Sequence, residues 1–209
     1  IEFGVAGGTG LRILEVEAAR ISRETGVAID VVGFDSGAGL PETTGDYRDH
    51  PDIWRPGDYP MDLPRLQTLL APSTQLILGP VRETVPRWVE TQQAAPVGFV
   101  AFDLDLYSST RDALQIFTCP GASLLRQIPC YFDDLEYFYG YHGAGEFLAI
   151  SEFNTVHAGR LEIDPWQGVR DRQVFPAEPY LRKMYVAHDL AAISAAVLIR
   201  DIAELPVRV

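Results

Sequence analysis

Short apolar runs alternate with helical segments along almost the whole sequence, and this alternation constrains the fold more than any other feature. Seven runs rich in branched and aromatic residues are typical of strands: Ile1–Ala6, Val27–Phe34, Thr74–Leu78, Val97–Phe102, Ile128–Phe132, Leu161–Ile163 and Met184–Ala187. Helical patterns are found at Leu11–Thr25, Asp62–Leu70, Glu83–Gln93, Ser109–Phe117 and Glu146–His157. Ser108 or Ser109 is the expected N-cap of the fourth helix. The alternation predicts an α/β fold with a doubly wound, mostly parallel seven-stranded sheet flanked by helices.

The composition is that of one globular domain spanning residues 1–209. Hydrophobic residues make up 47% of the chain, and no internal repeat or linker divides it. The net charge of −12 argues against nucleic acid as a partner, because clustered Lys and Arg bind phosphate backbones. No apolar run reaches the roughly 18 residues of a membrane span, so we expect no membrane partner. The two cysteines lack CxxC spacing, which indicates a reduced, cytoplasmic setting.

Glycines or polar side chains follow each of the first five predicted strands. In an open α/β sheet, ligands bind outside the carboxyl ends of the strands, so these residues are site candidates. In strand order they are Gly7, Gly8 and Gly10, then Asp35, then Gly79–Glu83, then Asp103 and Asp105, and finally Asp133 and Asp134. Because four of the five strand ends carry a carboxylate, we predict a ligand site at this edge of the sheet.

The glycine cluster and Asp35 are a candidate nucleotide site. Glycines let a backbone approach a ligand at the start of a helix, although a tight strand–helix turn also requires glycine. Asp35 lies about where an acidic residue accepts hydrogen bonds from ribose hydroxyls in nucleotide-binding sheets. An Asx turn within Phe34–Gly37 is the alternative role for this side chain.

Asp103, Asp133 and Asp134 would meet at one edge of the sheet if the fourth and fifth strands are neighbours. Three converging carboxylates repel one another unless they share a cation or a proton. Hard oxygen ligands suit Mg²⁺, Mn²⁺ or Ca²⁺ better than zinc. The alternative is that one carboxylate caps a helix and the others are solvated.

Five short motifs occur in an order that is more specific than any one of them. They are Glu2-Phe-Gly4-Val5 with the Gly7-Gly8 that follows, Phe34-Asp35-Ser36-x-x-Gly39-Leu40-Pro41, Gly79-x-x-x-Glu83-Thr84-Val85-Pro86, Asp103-Leu-Asp105-Leu106-Tyr107-Ser108-Ser109-Thr110 and Asp133-Asp134. Together they resemble class I S-adenosylmethionine-dependent methyltransferases of the macrocin O-methyltransferase type, which act on sugars of antibiotics. The resemblance implies a Rossmann-like class I methyltransferase fold and a small-molecule acceptor.

The resemblance also implies a role for particular residues. Glu2, Gly4, Gly7 and Gly8 would line the methionine part of S-adenosylmethionine, Asp35 and the adjacent Ser36 the ribose, and Arg82 and Glu83 the adenine. Asp103, Asp133 and Asp134 would bind Mg²⁺, which would hold the acceptor hydroxyl and lower its pKa. A carboxylate or histidine would then take the proton.

Asp105 is the candidate for this general base, and His142 and His188 are alternatives. The sequence contains a single lysine, Lys183. We therefore expect no lysine base near Asp103 of the kind that catechol-type enzymes use.

Two further hypotheses come from other classes of protein. The glycine loop is one residue shorter than in the resembling family, and Leu135-Glu136 replaces the aromatic residue and glycine that usually follow the Asp pair. These departures leave open a methyltransferase-like protein that binds the cofactor without catalysis, in a regulatory or scaffold role. A nicotinamide-dependent oxidoreductase is opposed by the missing GxGxxG and by the lack of a Tyr-x-x-x-Lys pair.

Three segments keep alternative interpretations. The aromatic run Tyr131–Tyr141 could line an acceptor pocket, or it could pack internally or form a subunit contact, which leaves a homodimer open. The acidic loop Glu42–Asp58 is either a solvated face or a mobile flap over the cofactor. The chain begins with Ile1 rather than Met, so we expect that an N-terminal extension is missing.

Overall fold

The computed structural model describes residues 1–91, 95–135, 141–172 and 179–196. Its strands are β1 (Glu2–Phe3), β2 (Val32–Asp35), β3 (Gln75–Leu78), β4 (Val100–Phe102), β5 (Gln127–Phe132), β6 (Leu161–Pro165) and β7 (Met184–Asp189). The α-helices are α1 (Thr9–Thr25), α2 (Leu63–Leu69), α3 (Val81–Thr91), α4 (Tyr107–Ala113), α5 (Gly145–Val156), α6 (Gln167–Arg170) and α7 (Leu190–Ala195). Short 3₁₀ helices cover Tyr47–Asp49, Leu114–Phe117 and Pro179–Lys183.

The strands form one seven-stranded sheet with the order β3-β2-β1-β4-β5-β7-β6. Strands β1 to β5 pair in parallel, whereas β7 runs antiparallel to both β5 and β6. The chain runs outward from β1 to β3 in one direction and from β4 to β5 in the other. The order therefore reverses between β1 and β4, which is where ligands bind in such sheets. The expected α/β class with a mostly parallel sheet is confirmed.

Hydrophobic packing covers both faces of this sheet. Successive side chains of a strand point to opposite faces, so Phe34 packs toward Trp88 of α3 while the neighbouring Gly33 leaves room for Leu11 of α1. One core cluster thus joins the sheet to α3, α4 and α5, and the other joins it to α1 and α2. No helix in the described part of the chain has the length and apolar character needed to cross a membrane.

Four phenylalanines form a row across the sheet directly below the carboxyl ends of its central strands. Phe3 is in register with Phe34 and Phe102, and Phe102 with Phe132. Their rings stack with centroid distances of 4.9, 5.4 and 4.6 Å, and all four are fully buried. The next residues along the chain are Gly4, Asp35, Asp103 and Asp133. The row therefore sets these four residues at one level, at the edge of a rigid core.

The first two strands, like the fourth (Val100–Phe102), are shorter than their sequence patterns predict. The second covers only Val32–Asp35, and the preceding Val27 and Ile29 are exposed, because they lie outside the hydrogen-bonded part of the sheet. The first ends at Phe3, since Gly4 adopts a φ of +83° and the chain leaves the sheet there. A Cβ on Gly4 would collide with the backbone oxygen of Asp103, so only glycine fits where these two strand ends approach.

The predicted N-cap of α4 is wrong. The cap residue is Leu106, which has no side-chain acceptor, and Ser108 lies inside the first turn. The carboxylate of Asp49 supplies the acceptor instead, because its Oδ1 accepts from the Ser108 amide at 2.8 Å. A residue far away in sequence thus satisfies a helix end that local sequence was expected to satisfy.

Candidate functional site

A cleft of about 690 Å³ opens at the carboxyl edge of the sheet, at the reversal between β1 and β4. Residues that follow β1 to β5 line it, together with part of the loop after β2. Of the residues singled out from the sequence, the cleft brings together Gly4, Asp35, Ser36, Arg82, Asp103, Asp105, Asp133 and Asp134. This volume lies within the range of small-molecule sites in proteins.

Asp35 holds the backbone at the end of β1. Its Oδ2 accepts from the amides of Val5 and Ala6 at 2.8 and 2.9 Å, and its Oδ1 accepts from the Gly37 amide at 2.6 Å. The bond to Gly37 is the Asx turn considered from the sequence. A carboxylate has about four acceptor positions, so one on Oδ1 remains for a ligand hydroxyl. The turn and the ribose role are therefore compatible.

Four of the residues assigned to the cofactor are not among those lining the cleft: Glu2, Gly7, Gly8 and Glu83. Gly8 has a φ of +82° and faces Leu66 of α2, whose side chain occupies the position of a Cβ. Glu83 lies in the first turn of α3, within 4 Å of Arg82 and Arg87. Gly8 does not line the cleft because it packs against α2, and Glu83 does not because it forms ion pairs on the surface.

Glu2 lies below the glycine loop in the interior. Its carboxylate is 5% exposed, and its Oε1 occupies the space where Gly10 would carry a Cβ. The Oε2 atom has no hydrogen-bond partner among the described residues. Burial, reinforced by the charge of Asp103, raises the pKa of Glu2 to about 8.

Asp103, Asp133 and Asp134 converge at the ends of β4 and β5, which are neighbours as expected. One oxygen from each carboxylate lies within 4.8 Å of the others. Asp105 joins the group because its backbone, at a φ of +60°, places its amide 3.0 Å from Asp134 Oδ2. The turn after β4 thus folds back onto the turn after β5.

Asp103, Asp105 and Asp134 resist ionisation. Burial is the main cause in each case, and neighbouring carboxylates add to it. The pKa of Asp103 is raised to about 6, with Asp133 as the main charged neighbour. The pKa of Asp105 rises to about 7 and that of Asp134 to about 8, and the charges of Asp103 and Asp133 add to the effect of burial on both. Such a group is stabilised by bound protons or by a cation.

Glu146 supports the cluster from below and was not singled out from the sequence. This side chain of α5 is buried, and its Oε2 accepts from the Asp134 amide at 2.9 Å. Its Oε1 has no hydrogen-bond partner among the described residues. Burial, with the charge of Asp134, raises the pKa of Glu146 well above its usual range.

The sequence predicts no lysine base of the catechol type near Asp103, but the structure does place Lys183 beside the acidic cluster. The Lys183 ammonium contacts Asp133 Oδ1 at 3.0 Å, and its charge acts on the Asp103 carboxylate. Tyr131 donates to the same Asp133 oxygen at 2.6 Å. The sequence does not indicate the direction of the strand that follows Lys183, so the position of this residue relative to the acidic cluster could not be predicted. The signal for this residue was its being the only lysine of the chain.

The two histidines considered as bases lie elsewhere. His188 is near the end of β7, in register with Gln127 at the start of β5, so it lies at the opposite edge of the sheet. His142 stacks on Phe147 of α5 with ring centroids 4.2 Å apart, and neither histidine lines the cleft. Of the three candidate bases, Asp105 is the one in the cleft.

The aromatic run and the acidic loop separate into different roles. Phe132 is core and Tyr141 is exposed, whereas 137–139 lie outside the described residues. The loop after β2 lines the cleft through Leu40–Thr44 and Tyr59. It is tied down by Asp49, which is 1% exposed and accepts from the Thr44 amide at 2.8 Å. This loop is therefore more than a solvated face.

The residues present fit both groups that the resemblance implies. Three carboxylates converge as ligands for a divalent cation, and one of them already binds a positive group, the Lys183 ammonium. For an adenosyl cofactor, the cleft offers a remaining acceptor position on Asp35 at the reversal of strand order. The donor set is oxygen throughout, which matches a hard cation.

Comparison with solved structures shows the same fold in known methyltransferases. The crystal structure of CalS11, a calicheamicin methyltransferase, matches with a TM-score of 0.62 and 21% identity over 90% of this chain and 70% of that chain. An apo structure of CalS11, described as TDP-rhamnose 3′-O-methyltransferase, matches with a TM-score of 0.52 and 22% identity over 90% of this chain and 70% of that chain. The O-methyltransferase NovP gives 0.59 and 18% over 90% of this chain and 69% of that chain.

Sequence comparison contributes no match, either to models of protein families or to curated proteins. The identities with CalS11 and NovP are low, so the likeness is one of architecture. The chain therefore has the class I methyltransferase fold that its sequence motifs imply.

Proposed function

We propose that this protein is an S-adenosylmethionine-dependent O-methyltransferase that methylates a hydroxyl of a small molecule with assistance from Mg²⁺. The observation that carries the proposal is the joining of Asp35, Gly4 and the Asp103–Asp133–Asp134 cluster in one cleft at the reversal of strand order. The proposed cofactor site and the proposed cation site would share one cavity.

A sugar or a sugar-bearing secondary metabolite is the proposed class of acceptor. CalS11 is described as acting on TDP-rhamnose, and NovP is an O-methyltransferase of the same fold. Sugar hydroxyls have high pKa values, so their methylation benefits from a cation that stabilises the alkoxide. The hard oxygen ligands of this cleft suit such a cation.

Within the cleft, the chain's own residues would divide the work. Asp35 holds the ribose hydroxyls, and Asp103, Asp133 and Asp134 hold the cation. When bound, S-adenosylmethionine supplies an electrophilic methyl group and Mg²⁺ lowers the pKa of the acceptor hydroxyl. Asp105 lines the cleft beside the cluster and accepts the hydroxyl proton. Orientation of the acceptor oxygen by these fixed groups supplies much of the acceleration.

Calorimetry with S-adenosylmethionine and S-adenosylhomocysteine tests cofactor binding directly. We expect binding to the folded protein, and absence of binding at millimolar ligand would overturn the proposal.

Turnover is tested with nucleotide-linked sugars, with and without Mg²⁺, by mass spectrometry of the methylated product. Asp133→Asn should abolish cation-dependent turnover and leave cofactor binding nearly intact.

A matched substitution separates the cation role from a general effect of charge. Asp112→Asn also removes a carboxylate that lines the cleft, but Asp112 lies outside the cluster and pairs with Arg111. It should retain cation-dependent turnover. Cofactor binding without turnover on any acceptor would favour the non-catalytic, regulatory or scaffold role. Activity that survives both EDTA and Asp133→Asn would make the carboxylates structural.

A further inference from the structure

Lys183 reaches the acidic cluster because β7 runs antiparallel to β5. Met184, the first residue of β7, is in register with Tyr131, near the end of β5. The residue before β7 therefore lies at the carboxyl edge of the sheet, next to the residues that follow β5. In a parallel strand, the same position would lie at the opposite edge.

The contact with Asp133 is close, and its lysine side is largely shielded from solvent. The Lys183 side chain is 16% exposed, and its Nζ lies 3.0 Å from Asp133 Oδ1. The Tyr131 hydroxyl donates to the same oxygen, so Oδ1 receives two donors, whereas none of the described residues donates to Oδ2. The ammonium also lies 6.0 Å from the centre of the Tyr131 ring, a distance typical of a cation–π contact.

We propose that Lys183 is a tethered cation that neutralises the Asp103–Asp133–Asp134 cluster and competes with a divalent ion for Asp133. The inference rests on the cation-binding part of the proposed function. A divalent ion can use Asp133 Oδ2 with Lys183 in place, or displace the ammonium and use both oxygens. In either case the Lys183 ammonium repels the ion, whereas the carboxylates of the cluster attract it.

The type of residue matters for this role. The chain uses arginine almost everywhere, and its one lysine is placed here. An ammonium is a compact point charge on a flexible stem, so it can leave a carboxylate when a stronger cation arrives. A guanidinium would bind the carboxylate through two parallel hydrogen bonds and hold both oxygens. Lys183 thus acts as a positioning residue that sets the affinity of the cluster for cations.

Isothermal titration calorimetry with Mn²⁺ tests the proposal on the whole chain, with neither cofactor nor acceptor present. Lys183→Gln keeps a donor for Asp133 but removes the charge. We expect it to bind Mn²⁺ at least about tenfold more tightly than the wild type, because a unit charge a few ångströms away has a large effect on a cation. Thermal unfolding with and without Mn²⁺ gives a second readout, in which Lys183→Gln should show the larger increase in Tm.

Two control variants locate the effect. Arg182→Gln removes the same charge from the preceding, exposed residue and should change the Mn²⁺ affinity by less than about twofold, because exposed charges are screened. Adding Asp133→Asn to Lys183→Gln should remove the gain.

Two outcomes would overturn the proposal. One is equal or weaker Mn²⁺ binding by Lys183→Gln, and the other is no Mn²⁺ binding by this variant at millimolar ion. Because no cofactor is present, the result does not depend on methyl transfer. A protein that gains Mn²⁺ affinity in this test but fails to bind S-adenosylmethionine would retain this inference and lose the proposed function.

Discussion

At the scale of single residues, Asp35 serves the fold with the same carboxylate that we propose as a ligand for the ribose. Three of its hydrogen bonds fix the backbone on either side of the cleft, at Val5, Ala6 and Gly37. The sequence indicated an acidic residue at the end of a strand. It could not show that β1 passes within reach of the same carboxylate, because that contact spans 30 residues.

Asp35→Asn should weaken the fold as well as the binding of the cofactor. An amide replaces one acceptor oxygen with a donor, so at least one backbone amide loses its partner, at a cost of about 1–3 kcal/mol. Urea unfolding of the cofactor-free protein measures this loss. Asp30→Asn, at an exposed site five residues earlier, should change stability by less than about 0.5 kcal/mol. Unchanged stability of Asp35→Asn together with lost affinity would show that Asp35 acts on the ligand alone.

Glu2 should make the fold less stable as the pH rises. Its pKa is about 8 in the folded protein against an ordinary value of 4.5, so the folded state holds this proton more strongly than the unfolded state. The stabilisation is complete below pH 4.5 and is lost as the pH rises through 8. The free energy of unfolding of Glu2→Gln should therefore equal that of the wild type near pH 4.5. Near pH 9 it should be larger by on the order of a few kcal/mol.

Chemical unfolding at several pH values checks this expectation. Glu90→Gln, at an exposed position on α3, serves as the control and should shift stability by less than about 0.5 kcal/mol throughout. A constant difference between Glu2→Gln and the wild type at all pH values would contradict the assignment.

At the scale of elements, the loop after β2 and helix α4 form one unit through Asp49. The carboxylate accepts from Thr44 in the loop and from Ser108 in the first turn of α4. The serines around this helix start suggested a local cap. Sequence patterns for helix caps involve residues within a few positions of the helix start. A cap supplied from 59 residues away therefore cannot be predicted from them.

Asp49→Ala should release both partners. Two backbone amides in partly buried hydrogen bonds would lose their acceptor, and we expect a loss of about 1–3 kcal/mol in unfolding free energy. Chymotrypsin should then cut faster after the buried Trp54, because the loop would open more often. Asp52→Ala, whose side chain is 76% exposed, is the matched control in the same loop. Equal cleavage of the two variants would show that Asp49 does not restrain the loop.

At the scale of the whole molecule, the cleft depends on five parallel strands and a loop, so it should unfold together with the core. A ligand at 100 times its Kd stabilises the folded state by about 2.7 kcal/mol. For a chain of this size, S-adenosylhomocysteine at that excess should raise Tm by about 5–10 °C. Circular dichroism measures the shift. A calorimetrically saturated protein with no increase in Tm would show that the cleft and the core unfold separately.

The sequence alone determined the α/β class and the ends of the second to fifth strands with the residues at them, because strand and helix periods and an aspartate or glycine after a strand are local patterns. The first strand ends at Phe3, three residues earlier than its pattern predicts. Much of the cleft follows from these local patterns. Tertiary structure decided which of these residues meet: Glu2 and Gly8 turn to the interior, Glu146 supports Asp134, and Lys183 reaches Asp133. The reason is physical, since the direction of β7 and the burial of a carboxylate depend on pairing and packing between distant segments.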